Sequence, residues 1–183
     1  MTDTSPYERI HDLYRKFGTG HYGERVTQIQ HAVQCGRLAL DDGYDDEVVI
    51  AAFLHDIGHL LVEELPPERR EGAILRHQEV GADFLRELEF SERVAKLVET
   101  HVDGKRYLTA VQEGYWQDLS EASKESLGFQ GGPMSVTEVS VFEADPDLDQ
   151  HLALRRWDDL AKDPENADVD IAPFMDRIRA HLG

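Results

Sequence analysis

The run "EVVIAAFLHDIGHLLV", residues 47–62, constrains the fold more than any other stretch of this chain. Its apolar residues do not alternate as in a half-buried strand. They cover most faces of a helix, so the run predicts a mostly buried helix over 46–61. The run also carries His55, Asp56 and His59 into a core-like setting, where titratable groups are costly to desolvate unless something binds them. The fold must therefore bring partners to these three side chains.

The rest of the chain reads as helical. Residues 24–41 place Val26, Ile29, Val33, Leu38 and Leu40 close to a helical period, and "PPERR" marks a break after residue 61. A further helix is expected over 72–88, with Ile74, Val80, Phe84 and Leu85 on one side. Ser91 is a plausible N-cap for "ERVAKLVETHV", with Gly104 marking the end of that helix. Residues 105–135 are less regular and contain "FQGGPM", a loop signal. A helical part over about 137–161 is followed by the loop "KDPENADVDIAP" and a short C-terminal helix. There is no internal repeat and no convincing strand alternation. The expectation is one all-α domain over 1–183, with its core at about 21–160.

Charge and composition narrow the partners. The chain of 183 residues has 37 acidic and 19 basic side chains, a net charge of −18. Such a field repels nucleic acid and anionic membranes, and an anionic substrate would need a local cluster of Lys and Arg. The lone cysteine, Cys35, suits a reducing compartment. No secretory signal is expected in "MTDTSPYERI", and "VVIAAFL" is too short to span a bilayer. A cytoplasmic location is expected.

In a helix, His55 and Asp56 are about 100° apart and His59 lies one turn on. Adjacent His and Asp can reach one metal, and a carboxylate has a second oxygen with which to bridge another. The dipeptide alone favours a hydrogen-bonded polar pair near a helix end, roughly two to one. His31, His77, His101 and Asp158 change that balance. Each is a single ligand type delivered by a successive helix, which is how bundles build sites in their cores. Imidazole and carboxylate suit iron, manganese or zinc without choosing among them. His11, His21, His151 and His181 lie in polar stretches and are expected at the surface.

The order His31, His55-Asp56, Asp158 resembles the HD-domain superfamily, a helical bundle whose members are mostly metal-dependent phosphohydrolases. His77 and His101 between them match its dinuclear branch. The strings "HDIGH", "HQEVGADFLRELEFSERVAKLVETHVDGKRYL", "LSEASKESLGFQGGPM" and "RRWDD" are similar to the HD-domain mixed-valent diiron oxygenases that cleave the carbon–phosphorus bond of 1-hydroxyphosphonates. The similarity runs from about residue 21 to 160.

The resemblance implies two irons, Fe(II)/Fe(III), with dioxygen as co-substrate. His31, His55 and Asp158 would hold one iron, His77 and His101 the other, and Asp56 would bridge them. Lys105 and Arg155 fall on the family's phosphonate-binding positions, Ser123 and Ser126 on hydroxyl donors, and His59 on a histidine lining the pocket. Glu24 aligns with a glutamate that contacts the substrate's nitrogen. Tyr22 lies one residue nearer to His31 than the family's iron-capping tyrosine, whose place by strict count is His21; a one-residue deletion in the loop gives Tyr22 that role.

The implied reaction removes the hydrogen on carbon 1 and cleaves the carbon–phosphorus bond. The implied substrates are 2-amino-1-hydroxyethylphosphonate, giving glycine, or its trimethylammonium analogue, giving glycine betaine. The "HYGE" run and the acidic chain tilt the expectation slightly toward the quaternary substrate. The first alternative is a metal-dependent HD phosphohydrolase acting on a nucleotide or phosphate ester, which needs no second histidine pair. The second is a non-catalytic helical binding module.

Overall fold

In the computed structural model, residues 5–21 and 24–183 are described; Tyr22 lies outside them. They form helices and, among the described residues, no strand. The helices are α1 (Pro6–Phe17), α2 (Gln28–Asp41), α3 (Asp46–Leu54), α4 (Ile57–Val62), α5 (Pro67–Ile74), α6 (His77–Glu87), α7 (Glu92–Val111), α8 (Tyr115–Asp118), α9 (Glu121–Phe129), α10 (Val136–Glu143), α11 (Leu148–Leu160) and α12 (Ala172–Leu182).

The apolar run does form the centre. Every residue of α3 from Val48 to Leu54 is buried, and α2, α7, α11 and α12 pack around it. Phe53 lies between Tyr14 of α1 and Phe174 of α12, with ring centroids 4.8 and 4.6 Å away. The terminal helices thus add to the same apolar core, through Ile10, Leu13, Phe174 and Ile178.

Several helix boundaries differ from the sequence expectation, and two differences shape the site. The helix expected over 46–61 breaks at the His55-Asp56 dipeptide, where Asp56 leaves helical geometry at φ −100° and ψ 11°. The helix expected over 72–88 likewise breaks, at Arg76 with φ −126° and ψ 29°, so that His77 opens α6. Both breaks re-aim polar side chains while the apolar period carries on across them, so periodicity cannot reveal them. Gly58 closes the gap between these segments. A Cβ there would come within 1.9 Å of the His77 carbonyl oxygen, so only glycine permits the approach of α4 to the start of α6.

Gly104 does not end its helix. Ser91 caps α7 as expected, its side chain accepting from the Val94 amide. The helix then runs through Gly104 to Val111. This glycine serves packing: a Cβ would lie 2.9 Å from the Cβ of Arg155 and 3.2 Å from the His151 carbonyl oxygen, so its absence lets α11 approach α7. That approach buries His151, contrary to the surface expectation. Its Nδ1 hydrogen-bonds Thr100 Oγ1 at 2.8 Å, and its Nε2 lies 3.5 Å from Asp145 Oδ2. His11 and His21 are exposed, while His181 is half-buried and accepts from the Ser91 amide at 3.1 Å. The segment expected as one helical part over 137–161 is two helices, α10 and α11, separated at residues 144–147.

Candidate metal centre

Four histidines from four helical segments converge beneath the junction of α3 and α4. His31 comes from α2, His55 from the end of α3, His77 from the first position of α6 and His101 from the middle of α7. Each is fixed by a backbone carbonyl. The Nδ1 atoms lie 2.8 Å from Ala161 O, 2.8 Å from Ala52 O, 3.1 Å from Ile74 O and 2.7 Å from Val98 O, respectively. A carbonyl can only accept, so Nδ1 carries the proton in each ring and a neutral ring presents the Nε2 lone pair inward.

Those lone pairs then face one another. His31 and His55 have their Nε2 atoms 3.1 Å apart, and those of His77 and His101 are 3.2 Å apart. Two acceptors cannot sit so close unless a cation lies between them. For the His77–His101 pair a proton is a poor cation. Burial and the neighbouring imidazoles push His101 well below the ordinary histidine value, and burial also lowers His77. A metal fits better, since two nitrogens each about 2.1 Å from one first-row ion lie roughly 3.0–3.4 Å apart at right-angled to tetrahedral geometry.

Asp56 stands between the two pairs. Its Oδ2 lies 3.6 Å from His31 Nε2 and 3.5 Å from His55 Nε2. Its Oδ1 lies 3.5 Å from both His77 Nε2 and His101 Nε2. One carboxylate thus offers one oxygen to each histidine pair, the disposition of a bridging ligand. Burial opposes its ionisation, but the surrounding histidines more than offset this and hold it far below the usual carboxylate range. Asp158 reaches the first pair from α11, with Oδ1 3.4 Å from His31 Nε2.

His59 is set back from this shell. Its Nε2 is 3.9 Å from Asp56 Oδ1, and its ring stacks on His77 at 4.0 Å. Burial, reinforced by the neighbouring His77, pushes its pKa down to about 3, so it is neutral at ordinary pH.

A cavity of about 460 Å³ opens over these groups. Lys105, one turn beyond His101, points into it, and its Nζ donates to Ser126 Oγ at 2.7 Å. Burial, followed by the charge of Arg155, lowers the Lys105 pKa to about 8. No carboxylate pairs with Lys105 among the ion pairs of the described residues, so its charge is available to an anion. Arg155 is buried differently. Its Nη1 lies 2.6 Å from Asp158 Oδ2, and its Nε and Nη2 bond Asp159, whose Oδ2 also accepts from Tyr115 at 2.5 Å. Three of the five guanidinium N–H groups are so engaged, leaving two that can face the cavity. Arg155 thereby orients Asp158 as well as lining the pocket.

The cavity brings together Glu24, Ser123 and Ser126 as expected, and also Lys162, which sequence reasoning missed. Lys162 follows the end of α11, one turn after Asp158, in the same stretch whose Ala161 carbonyl fixes His31. That one-turn spacing was the available signal.

The family model for the HD domain matches residues 29–172, most of the chain. The chain belongs to the HD-domain family. Three relatives resemble this HD-domain chain over most of its length. A 1-hydroxy-2-(trimethylamino)ethylphosphonate dioxygenase (glycine-betaine-forming) of Leisingera caerulea is 37% identical over 181 residues, 96% of this chain and 92% of the relative. A hydroxymethylphosphonate dioxygenase of Gimesia maris is 39% identical over 162 residues, 86% and 80% of the two chains. An uncharacterized protein of Acanthamoeba polyphaga mimivirus is 37% identical over 155 residues, 84% and 71%. No helix among the described residues of this HD-domain chain is long and apolar enough to cross a membrane.

Proposed function

We propose that this chain is a diiron dioxygenase that cleaves the carbon–phosphorus bond of a short 1-hydroxyphosphonate. The observation that carries the reading is Asp56, with one oxygen toward each of two histidine pairs whose lone pairs converge. The reading is supported by the two relatives named as hydroxyphosphonate dioxygenases. His31, His55 and Asp158 would hold one iron, His77 and His101 the other, with Asp56 between them. When bound, the irons supply redox chemistry with dioxygen as co-substrate.

The protein's own residues bind and orient. Lys105 offers the phosphonate an ammonium that no described carboxylate holds in a close ion pair, and the remaining N–H groups of Arg155 offer a planar donor pair to its oxygens. Ser126 holds the Lys105 ammonium in place, and Ser123 lines the same wall. His59, neutral beside the centre, can hydrogen-bond substrate without adding charge next to the metals. The carbon bearing the hydroxyl then projects toward Glu24, where its substituent is accommodated. The trimethylammonium, primary amine and hydroxymethyl forms are the substrates to compare.

The test is oxygen consumption measured together with phosphate release. The two should rise in parallel with a 1-hydroxyphosphonate, and no phosphate should form under argon. Phosphate release without oxygen, or efficient nucleotide hydrolysis, would overturn the reading in favour of a phosphohydrolase.

A further inference from the structure

Glu24 does not reach the cavity as a free carboxylate. Its Oε1 accepts from Lys162 Nζ at 2.9 Å and from Ser120 Oγ at 2.6 Å. Lys162 Nζ also lies 3.1 Å from Ser123 Oγ and 3.5 Å from Ser120 Oγ. Both side chains are mostly shielded, at 17% and 24% exposure, and both line the cavity. Ser120 caps α9, its side chain accepting from the Ser123 amide, so the two residues meet at the start of that helix. The result is a local cation held on the only glutamate of this wall that has a lysine partner among the described residues.

The consequence is electrostatic. Phosphonate would be drawn to Lys105, which has no carboxylate within ion-pair distance among the described residues, and a substituent that reaches the Glu24 side of the same cavity meets a carboxylate already paired with Lys162. A substrate ammonium at that wall would have to displace Lys162 or share its carboxylate, with two like charges close together in a partly desolvated site. A substrate with no cationic substituent meets no such cost. The two named relatives differ in this very feature of their substrates, one carrying a trimethylamino group and the other none.

We infer that Lys162 is a specificity-determining residue, an internal cation that occupies Glu24 and biases the pocket against ammonium-bearing hydroxyphosphonates relative to hydroxymethylphosphonate. The inference rests on the hydroxyphosphonate reading of the site. It concerns the ratio between substrates, and so differs from any contribution to overall phosphonate affinity.

The experiment compares kcat/KM for 1-hydroxy-2-(trimethylammonio)ethylphosphonate and hydroxymethylphosphonate in iron-loaded wild type, Lys162→Met and Glu24→Gln. Lys162→Met should raise the ratio of the trimethylammonium to the hydroxymethyl substrate about tenfold or more, because one like charge has gone. Glu24→Gln, which leaves Lys162 without its counter-ion, should lower that ratio. Lys162→Gln keeps length and hydrogen-bonding while removing charge, and serves if the methionine variant folds poorly. A ratio unmoved by Lys162 substitution, with both substrates impaired equally, would identify a phosphonate contact or a structural pair and overturn the inference. Turnover of 2-amino-1-hydroxyethylphosphonate but not of hydroxymethylphosphonate by wild type would overturn the inference, and if wild type turns over none of the three compounds the dioxygenase reading fails on its own. Lys162 is then judged by equilibrium binding of 2-(trimethylammonio)ethylphosphonate against methylphosphonate. An unchanged preference in Lys162→Met overturns the inference there too.

Discussion

At the candidate metal centre four imidazoles are anchored to backbone, whereas among the cations of the cavity the side chains hold one another. His31, His55, His77 and His101 each give their Nδ1 proton to a carbonyl oxygen of a helical segment. Lys105 leans on Ser126, and Lys162 on Glu24, Ser120 and Ser123. A backbone anchor moves only if the helix moves, so the nitrogens are placed before any metal arrives. A side-chain anchor can exchange partners at small cost, which suits groups that must let a substrate in. The metal wall should therefore respond to substitution by losing metal, and the anion wall by losing affinity.

The largest effect expected from this contrast falls on Asp56. Asp56→Ala removes the only carboxylate among the described residues that faces both histidine pairs, so both metals should be lost and activity should drop at least about a thousandfold. His101→Ala should be milder in metal content, leaving one iron of two, and should abolish the coupled Fe(II)/Fe(III) signal in electron paramagnetic resonance. Metal analysis after anaerobic iron loading checks both. If His101→Ala retains two irons, or wild type binds one, the symmetry assigned to Asp56 is wrong.

The next effect belongs to the anion wall. Lys105→Ala should raise the KM for a hydroxyphosphonate roughly tenfold to a hundredfold, the usual range for losing a charge-assisted contact, while iron content stays intact. Loss of iron in this variant would erase the distinction between the walls.

How legible these walls are in the sequence follows from how they are built. His31, the His55-Asp56 pair, His77 and His101 stood out in the sequence as spaced ligand types, Asp158 was named through the family resemblance, and the structure brings all six side chains together. What the spacing hid is the pair of backbone breaks at Asp56 and Arg76, since the apolar pattern runs straight through them. The anion wall was only partly legible. Lys105 and Arg155 were found through family resemblance, but the engagement of Arg155 by Asp158 and Asp159 depends on side-chain directions at the end of α11. Lys162 was missed because its partner Glu24 is 138 residues away in the chain. Gly104 was misread as a helix end because local signals cannot distinguish a cap from a close approach between helices.

A third effect is graded with pH. Burial and the Arg155 charge lower the Lys105 pKa to about 8, below the ordinary lysine value. The ammonium form binds an anion, and it is lost as pH rises through that value. In the free enzyme, kcat/KM should therefore be flat below about 8 and fall tenfold per unit above it. Lys105→Arg, which stays charged throughout, should remove that limb even if its absolute activity is lower. A limb that persists in Lys105→Arg belongs to another group, and the anion wall would need a different titrating residue.

The smallest effect is expected at Ser126, and it tests whether the anion wall is held by side chains as described. Ser126 Oγ accepts from the Lys105 ammonium at 2.7 Å and donates to the Ser123 carbonyl at 3.2 Å. Ser126→Ala removes the only hydrogen bond made by the Lys105 ammonium among the described residues. A typical hydrogen bond contributes about 0.5–1.5 kcal/mol net, so KM should rise roughly twofold to tenfold. The protonated form loses more than the neutral one, because an ammonium needs acceptors and a buried amine does not. The Lys105 pKa should therefore fall further and carry the descending pH limb below about 8. The two readouts must move together. A higher KM with the limb unmoved would mean that Ser126 touches substrate rather than Lys105. A displaced limb with normal KM would mean that the lysine finds its acceptor in the substrate itself.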